Sequence, residues 1–134
     1  MSVFTVDMKN QPGELASLCE AMADHDVNLV LCATTHGDGA TVVFIADDEA
    51  GAESVLQEAG IAYTIRLALT VRMENQPGTG AATFRKLADA GVNADVLLPV
   101  RVSDDLFLAV LCVDDHDKAR RALGHQVVPF TPAL

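Results

Sequence analysis

Two copies of one short loop contain the residues of this chain best suited to bind a small polar molecule. The first loop covers residues 8–13 (MKNQPG) and the second covers residues 73–78 (MENQPG). Each lies directly before a predicted helix, whose N-terminus presents unpaired backbone N–H groups and the positive end of the helix dipole. These groups attract a carboxylate or phosphate, and the side-chain amide of Asn10 or Asn75 is both a donor and an acceptor. The loops are therefore candidate sites for a zwitterion, unless the asparagine caps the helix and Pro-Gly only turns the chain.

The similarity of the two loops extends into a repeat. Residues 5–28 match residues 70–93 at 12 of 24 positions, with an offset of 65 residues. A match of this extent indicates a tandem duplication of a module of about 65 residues. We therefore expect one module over residues 1–66 and a second over residues 67–134. Because no Pro-, Gly- or Ser-rich linker separates them, the modules are expected to pack directly on each other.

Each module shows the same succession of strand and helix patterns. Apolar, β-rich runs predict strands, and apolar residues at helical spacing predict amphipathic helices. In the first module the strands are predicted at residues 3–8, 27–33, 41–46 and 61–65, and the inward helix residues are Leu15, Leu18, Cys19 and Met22, then Ala52, Val55, Leu56 and Ala59. In the second module the strands are predicted at residues 69–73, 92–100, 106–113 and 126–130, and the inward helix residues are Ala81, Phe84, Leu87 and Ala88, then Ala119, Ala122 and Leu123.

The order β-α-β-β-α-β, found twice, predicts an α+β protein made of two ferredoxin-like modules. The right-handed crossover rule places both helices of a module on one face of its sheet. Residues 106–113 contain no polar side chain, although a strand with one face exposed should alternate. We therefore hypothesise that another subunit covers part of the second face, as in a homodimer.

The loop and its surroundings resemble those of the ACT domain, a small-molecule regulatory module of amino-acid metabolism. The resemblance rests on a strand followed by Asn-x-Pro-Gly, an amphipathic helix, and then Val-Asn before the next strand, at residues 27–28 and 92–93. It covers nearly the whole chain and is strongest to the serine-sensing domain of phosphoglycerate dehydrogenase. The resemblance implies two modules side by side, with one eight-stranded antiparallel sheet and four helices on one face.

The resemblance also implies an amino-acid ligand between two modules, bound by a loop asparagine and by the asparagine at the second strand of the neighbouring module. On this basis Asn10 pairs with Asn93, and Asn75 pairs with Asn28. The ligand-binding residues that it implies are Asn10, Gln11, Pro12, Gly13, Glu14, Leu15, Asn28, Asn75, Gln76, Pro77, Gly78, Thr79, Gly80 and Asn93.

Three features depart from the family pattern. A histidine often stands two residues before the loop asparagine, where this chain has Met8 and Met73. These methionines either contact a ligand side chain or are core residues at the strand end. Gly80 replaces Leu15 in the second module, which either opens space for a larger ligand or only relaxes packing. No catalytic domain is attached, so we expect a stand-alone sensor or an accessory subunit that contacts a regulated enzyme.

The histidines, paired aspartates and cysteines of this chain could be catalytic or bind metals, but structural roles explain their positions better. His25, His36, His116 and His125 have no partner at metal-ligand spacing and are expected at the surface. Asp47-Asp48 and Asp114-Asp115 stand where each module's second helix needs an N-cap, and a cation site is the alternative for these carboxylates. The three cysteines, Cys19, Cys32 and Cys112, are expected to be buried apolar residues. We therefore predict no catalytic residue, metal or cofactor.

Composition and charge narrow the function further. The 134 residues include 9 basic and 19 acidic side chains, giving a formal net charge of −10. Because a phosphate binder needs clustered Lys and Arg, nucleic acid and anionic membrane surfaces are excluded as partners. The chain has no signal-peptide pattern and an odd number of cysteines, so a reducing cytoplasm is expected.

A non-enzymatic protein that binds an amino acid and regulates a partner is the function that these features favour. Two alternatives are a protein-interaction or oligomerisation module without a ligand, and a small enzyme on a ferredoxin-like scaffold. The duplicated loop residues are amides, which bind ligands but do not readily transfer protons, so the enzyme is the weakest of the three.

Overall fold

The computed structural model describes residues 1–132, which form two compact units, Met1–Arg66 and Leu67–Phe130. The first unit contains the βαββαβ order of the α+β prediction, and the second contains this order as far as its second helix. The elements of the first unit are β1 (Ser2–Lys9), α1 (Glu14–Ala23), β2 (Leu29–His36), β3 (Gly39–Ala46), α2 (Glu49–Glu58) and β4 (Tyr63–Leu67). Those of the second are β5 (Leu69–Glu74), α3 (Thr79–Asp89), β6 (Ala94–Val102), β7 (Leu106–Val113), α4 (His116–Leu123) and a 3-10 helix (Gly124–Gln126).

The first unit folds around one face of a four-stranded sheet with strand order β2-β3-β1-β4. Alternate residues of β1 and β3 point towards the two helices, because successive side chains of a strand point to opposite faces. Phe4 and Phe44 are cross-strand partners, and their rings stack with centroids 5.0 Å apart. Leu18 and Met22 of α1 pack against these rings together with α2 residues. This aliphatic and aromatic core fixes α1, and with it the loop that precedes α1.

The second unit repeats this arrangement with a sheet of order β5-β7-β6. Its core contains Leu87 of α3 and Leu123 of α4, packed on Val71 and Leu111 of the sheet. Thr83 on α3 is also buried, and its hydroxyl accepts a hydrogen bond from the side-chain amide of Gln126, 3.0 Å away. The buried polar group is therefore satisfied by the segment that follows α4.

The strand predicted at residues 126–130 is reduced to one isolated bridge between Val71 and Val127. The seven strands fall into a four-stranded and a three-stranded sheet, so the single eight-stranded sheet does not form as predicted. Gly124 adopts a left-handed conformation, and the chain continues into the 3-10 helix where pairing would begin. Pro129 has no N–H to donate to a ladder, so the pairing stops after Val128 bonds to Thr70.

The predicted inward residues of α1 and α3 are only partly correct. In α1, Leu18 and Met22 are buried, whereas Leu15 and Cys19 are exposed. In α3 the buried residues are Thr83 and Leu87, whereas Ala81 and Ala88 are exposed and Phe84 is half-buried. Each helix presents one narrow i, i+4 row to its sheet, which is narrower than the stripe that apolar spacing suggested. The α2 and α4 predictions hold at Ala52, Val55, Leu56, Ala119 and Leu123.

One face of the all-apolar strand β7 has an explanation within its own unit. Ala109, Leu111 and Val113 belong to the core beneath α3 and α4. Val110 and Cys112 alternate with them and therefore lie on the opposite face of the sheet. A second subunit that covers part of this opposite face, as in a homodimer, stays a prediction.

In each acidic pair, the two aspartates have different structural roles. The Asp47 carboxylate accepts from the backbone N–H of Asn28 at 2.9 Å, and the Asp48 carboxylate caps α2 by accepting from Gly51 N–H at 3.0 Å. Asp114 and Asp115 repeat these contacts with Asn93 and Lys118. The second aspartate of each pair is thus an N-cap, as predicted, and the first holds the start of the second strand.

Replacing Asp48 with alanine should lower the free energy of unfolding by about 1 kcal/mol, because the first turn of α2 then loses its cap. Urea unfolding followed by circular dichroism measures this change. The matched control is Asp104→Ala in the exposed β6–β7 turn, which should change the stability little. Equal effects of the two substitutions would contradict the capping assignment.

Asp115 should make acid stability depend on its ionisation. The Lys118 backbone N–H lowers the pKa of Asp115 below its ordinary value, so its contribution is complete above pH of about 3.9 and is lost as pH falls through the lowered pKa. Asp115→Asn keeps an oxygen acceptor that does not titrate. Urea midpoints measured from pH 7 to pH 2.5 should fall less steeply for this variant than for wild type at the acid end. Parallel curves would contradict the assignment.

Candidate functional site

Each candidate loop enters its helix through a glycine with a left-handed backbone. Gly13 has φ 91° and Gly78 has φ 92°, and each is the N-cap residue of a helix that no side chain caps. The interpretation in which the loop asparagine caps the helix is therefore wrong. Among residues 1–132, no acceptor is bonded to the backbone N–H groups of Leu15 and Ala16, or to the equivalent groups of Gly80 and Ala81. Two aligned donors are thus available at the start of each of these helices.

Backbone contacts to the neighbouring hairpin hold the two loops in the same way. The Asn10 N–H donates to the Asp38 carbonyl at 3.4 Å, and the Asn75 N–H donates to the Asp105 carbonyl at 3.3 Å. Each loop is therefore a continuation of its first strand, stopped by the Pro-Gly turn.

The side chains of the two loops make different contacts. In the first loop the Gln11 amide donates to the Glu14 carboxylate at 2.7 Å, and the Asn10 amide has no hydrogen-bond partner in residues 1–132. In the second loop the Asn75 amide donates to the Ser103 carbonyl at 2.6 Å, and the Gln76 amide donates to the Glu74 carboxylate. The loops share a backbone but not a side-chain arrangement.

The first loop borders a cleft of about 380 Å³ that lies entirely within the first unit. Four of the predicted ligand-binding residues line it, namely Asn10, Gln11, Glu14 and Leu15. The sequence did not identify the other lining residues, which are Met8, Lys9, Ala33, Thr34, Thr35, Ala40 and Val42. We call this space the first-module cleft. Its volume lies within the range of small-molecule pockets.

The first-module cleft combines polar groups with an aliphatic wall. Lys9 supplies a cation, Glu14 supplies an anion, and Asn10 supplies a donor and an acceptor. The wall is built from short or flexible apolar side chains, those of Met8, Leu15, Ala33, Ala40 and Val42. Met8 lines the cleft and also packs against the core of the unit, so its core role is confirmed and its contact with a ligand stays a prediction. This surface suits a small molecule with both charges and an apolar side chain.

The strand asparagines do not lie near the loop asparagine of their own module. Strands β1 and β2 are both antiparallel to β3, and their ends meet where Lys9 and His36 face Gly39. Asn28 precedes β2 at its other end, about 23 Å away along seven strand residues. The side chain of Asn28 accepts from Leu29 N–H at 3.0 Å. Asn93 precedes β6 in the same way, so the pairings Asn10 with Asn93 and Asn75 with Asn28 stay predictions about neighbouring modules.

Two further cavities border the first helix of a module, one in each unit. One, of about 390 Å³, belongs to the second unit and is lined by Arg72, Met73, Glu74, Thr79, Asp105, His125, Gln126 and Val128. Thr79 is the one predicted ligand-binding residue in it. The other, of about 470 Å³, lies in the first unit beside Glu14, Ser17 and Leu18. Pro12, Gly13, Pro77 and Gly78 shape the turns and line none of these three cavities.

The histidines and cysteines form no recognisable centre. His25 and His36 are exposed, and His36 lies in a surface chain in which it bonds to Thr41, whose hydroxyl donates to Asp7 at 2.7 Å. Cys19 and Cys32 are exposed, which corrects the prediction that they are buried. Cys19 lies outside the Leu18–Met22 row, and Cys32 belongs to an edge strand. Across residues 1–132, no group of three or more His, Cys, Asp or Glu side chains could hold a metal ion.

The cleft residues that sequence reasoning missed come from β2 and β3. Thr34 and Thr35 stand at the end of β2, and Ala40 stands at the start of β3. Residues 36–39 (HGDG) are typical of a hairpin turn, and this turn could have placed them beside Asn10, since β1 and β2 both end opposite Gly39.

No helix in the described part of the chain is long and apolar enough to cross a membrane.

Comparisons with known proteins agree with this architecture. The family model of the ACT domain pair matches residues 1–131. No curated protein sequence matches the chain significantly.

Three solved structures show the same fold at low sequence identity. A Bacteroides thetaiotaomicron protein aligns with TM-score 0.82 and 22% identity over 92% of this chain and 86% of that chain. The ligand-free regulatory subunit of aspartate kinase from Thermus thermophilus aligns with TM-score 0.69 and 17% identity, covering 93% and 90%. A putative C-terminal regulatory domain of aspartate kinase from Porphyromonas gingivalis aligns with TM-score 0.58 and 13% identity, covering 96% and 93%.

The left-handed glycine turn can be tested by substitution. Gly13→Ala should lower the free energy of unfolding by about 1–2 kcal/mol, because an L-residue is strained at this φ. No atom lies within 4 Å of the added methyl group, so a steric clash would not explain the loss. The control is Gly80→Ala inside α3, where the methyl group also meets open space and alanine should stabilise the helix by about 0.5–1 kcal/mol. Urea unfolding separates these opposite signs, and a stable Gly13→Ala protein would refute the argument.

Proposed function

The chain belongs to the ACT domain pair family, and on that premise we propose that it is a non-enzymatic regulatory protein that binds an amino acid at its loop–helix junctions. The neighbouring module is proposed to close the site, with Asn93 contributing beside Asn10 and Asn28 beside Asn75. The ligand would stabilise one arrangement of the modules, and that arrangement would change the contacts of the protein with a regulated enzyme or a second copy of itself.

The observation that carries this proposal is the coincidence of free backbone donors and a cleft at one loop. The N–H groups of Leu15 and Ala16 have no acceptor among residues 1–132, and Leu15 also lines the cleft beside Asn10. A ligand carboxylate can accept from these donors in the field of the α1 dipole. A ligand ammonium can donate to Glu14 and to the side-chain oxygen of Asn10. One α-amino acid satisfies both requirements.

Two of the similar structures are named as regulatory parts of aspartate kinase, and each is nearly the same length as this chain. Their names support a role in regulating an enzyme. The partner that we propose is therefore an enzyme regulated by this chain, and it is described by that role alone.

A second candidate is a module that acts by association alone. Edge strand β6 leaves Leu97 exposed at 43% and Val102 exposed at 59%, and these apolar side chains favour contact with another protein. Sedimentation at micromolar concentration distinguishes a monomer from a self-associated form. If no metabolite changes the stability of the protein and a dimer is found, association alone is the better explanation of its function.

A thermal-shift screen with the twenty L-amino acids, each at millimolar concentration, should yield one hit or a few chemically related hits. A ligand at 100 times its Kd stabilises the folded state by about 2.7 kcal/mol, which raises Tm by several degrees for a domain of this size. The double variant Asn10→Ala/Asn75→Ala should lose this response.

The matched control is Gln57→Ala on α2, which removes an amide that is bonded to Tyr63 and lines none of the three cavities. This variant should keep the response. A double variant that still responds like wild type would refute the loop assignment.

A further inference from the structure

We propose that the first-module cleft is the one amino-acid site of this chain, that its ligand has an aliphatic side chain, and that the equivalent loop of the second module is structural. This inference rests on the proposed function and narrows it to one of the two loops, so that Asn75 and Asn28, proposed above as a second pair, are not part of a ligand site. It concerns a difference in side-chain contacts between two loops whose sequences are nearly the same.

The loop asparagines differ in their availability. The Asn10 side-chain amide is exposed and makes no hydrogen bond to residues 1–132. The Asn75 side-chain amide donates to the Ser103 carbonyl at 2.6 Å, while its backbone N–H donates to the Asp105 carbonyl. Binding a ligand through the Asn75 amide would break the contact that ties this loop to the β6–β7 turn. Binding through Asn10 breaks nothing.

The polar groups around the loops differ as well. Lys9 and Glu14 line the first-module cleft and supply one charge of each sign. Glu74 and Thr79 stand at the equivalent positions of the second loop, so the cation is replaced by an anion and the anion is lost. The Glu74 carboxylate is also bonded to the amide of Gln76. Among the residues of the two loops, only the first loop therefore carries one charge of each sign, whereas the second-unit cavity takes its cation, Arg72, from the strand before the loop and adds the anions Glu74 and Asp105.

The apolar wall differs between the two modules. Ala40 and Val42 of β3 line the first-module cleft, are buried there, and face Met8 and Val6 of β1. In the second module Phe107 and Ala109 of β7 face Met73 and Val71, so a ring stands where the first module has the methyl group of Ala40. Leu15 of the wall corresponds to Gly80, whose missing side chain leaves open space.

The chemistry of the first-module cleft indicates the ligand class. Its apolar lining residues are aliphatic throughout, with no aromatic ring to stack on. Both charged lining groups have a counterpart in the α-ammonium and α-carboxylate, so no charge is left to pair with a charged ligand side chain. A neutral aliphatic amino acid of the leucine, isoleucine, valine and methionine class matches the charged groups and the apolar wall of the cleft, whose remaining lining residues, Gln11, Thr34 and Thr35, are polar and uncharged.

Isothermal titration calorimetry on the full chain tests this inference. The probes are L-leucine, L-isoleucine, L-valine and L-methionine, compared with L-serine, L-aspartate and L-lysine. We expect one binding site per chain, with an aliphatic probe preferred. Asn10→Ala should raise Kd at least tenfold, and Asn75→Ala should leave Kd within twofold of wild type while lowering Tm, because its contact to Ser103 is structural.

A second pair of variants keeps the test independent of the asparagines. Leu15→Ala shortens the wall and should weaken binding severalfold, whereas Gly80→Ala should not. Two sites per chain, equal losses from Asn10→Ala and Asn75→Ala, or a preference for a polar probe would overturn the inference while leaving the proposed function intact. No binding by any of the twenty amino acids would overturn the proposed function itself.

Discussion

One backbone conformation, adopted by a glycine in each module, determines what this chain can bind. At Gly13 and Gly78 the chain leaves a strand and enters a helix with φ close to 90°. A short polar residue with an extended backbone at this position, like Asp48 and Asp115 before α2 and α4, would cap the helix and satisfy one of its first amides. Glycine supplies the turn without a cap, so the first N–H groups remain available. The cores on either side fix the strand and the helix, and therefore fix the direction of those donors.

Duplication kept this backbone and changed the side chains around it. In the first module the loop amide is free and the adjacent wall is aliphatic, whereas in the second module Asn75 is tied to Ser103. The Asp47–Asn28 and Asp114–Asn93 contacts were retained in both copies, because each holds the start of a strand. Scaffold contacts are thus equal in the two halves, while contacts at the loops are not.

Much of the fold could be predicted from the sequence, since the βαββαβ order follows from apolar periodicity, turn residues and the repeat. The orientation of α1 could not, because a helix with Leu15, Leu18, Cys19 and Met22 can present more than one row to the sheet. Packing selected Leu18 and Met22 and left Cys19 at the surface. The strand predicted at residues 126–130 was wrong, because the 3-10 helix that begins at Gly124 takes up its first residue and Pro129 interrupts the apolar run.

The candidate site could also be predicted only in part. The loop residues were found by their repetition, but the cleft beside them is completed by Thr34, Thr35 and Ala40, which have no motif of their own. They reach the loop only through strand register, since β1 and β2 end opposite the same residue of β3. The difference between Asn10 and Asn75 is invisible in the sequence because it depends on a hydrogen bond across a turn.

The central claim is that free amides at the start of α1 bind an amino-acid carboxylate. The most direct measurement is a two-dimensional ¹H–¹⁵N NMR titration of the uniformly labelled chain with each aliphatic amino acid. The account predicts saturable shifts of the Leu15 and Ala16 amide resonances, with those of Gly80 and Ala81 nearly unchanged. Saturable binding that leaves the Leu15 and Ala16 resonances in place would contradict it.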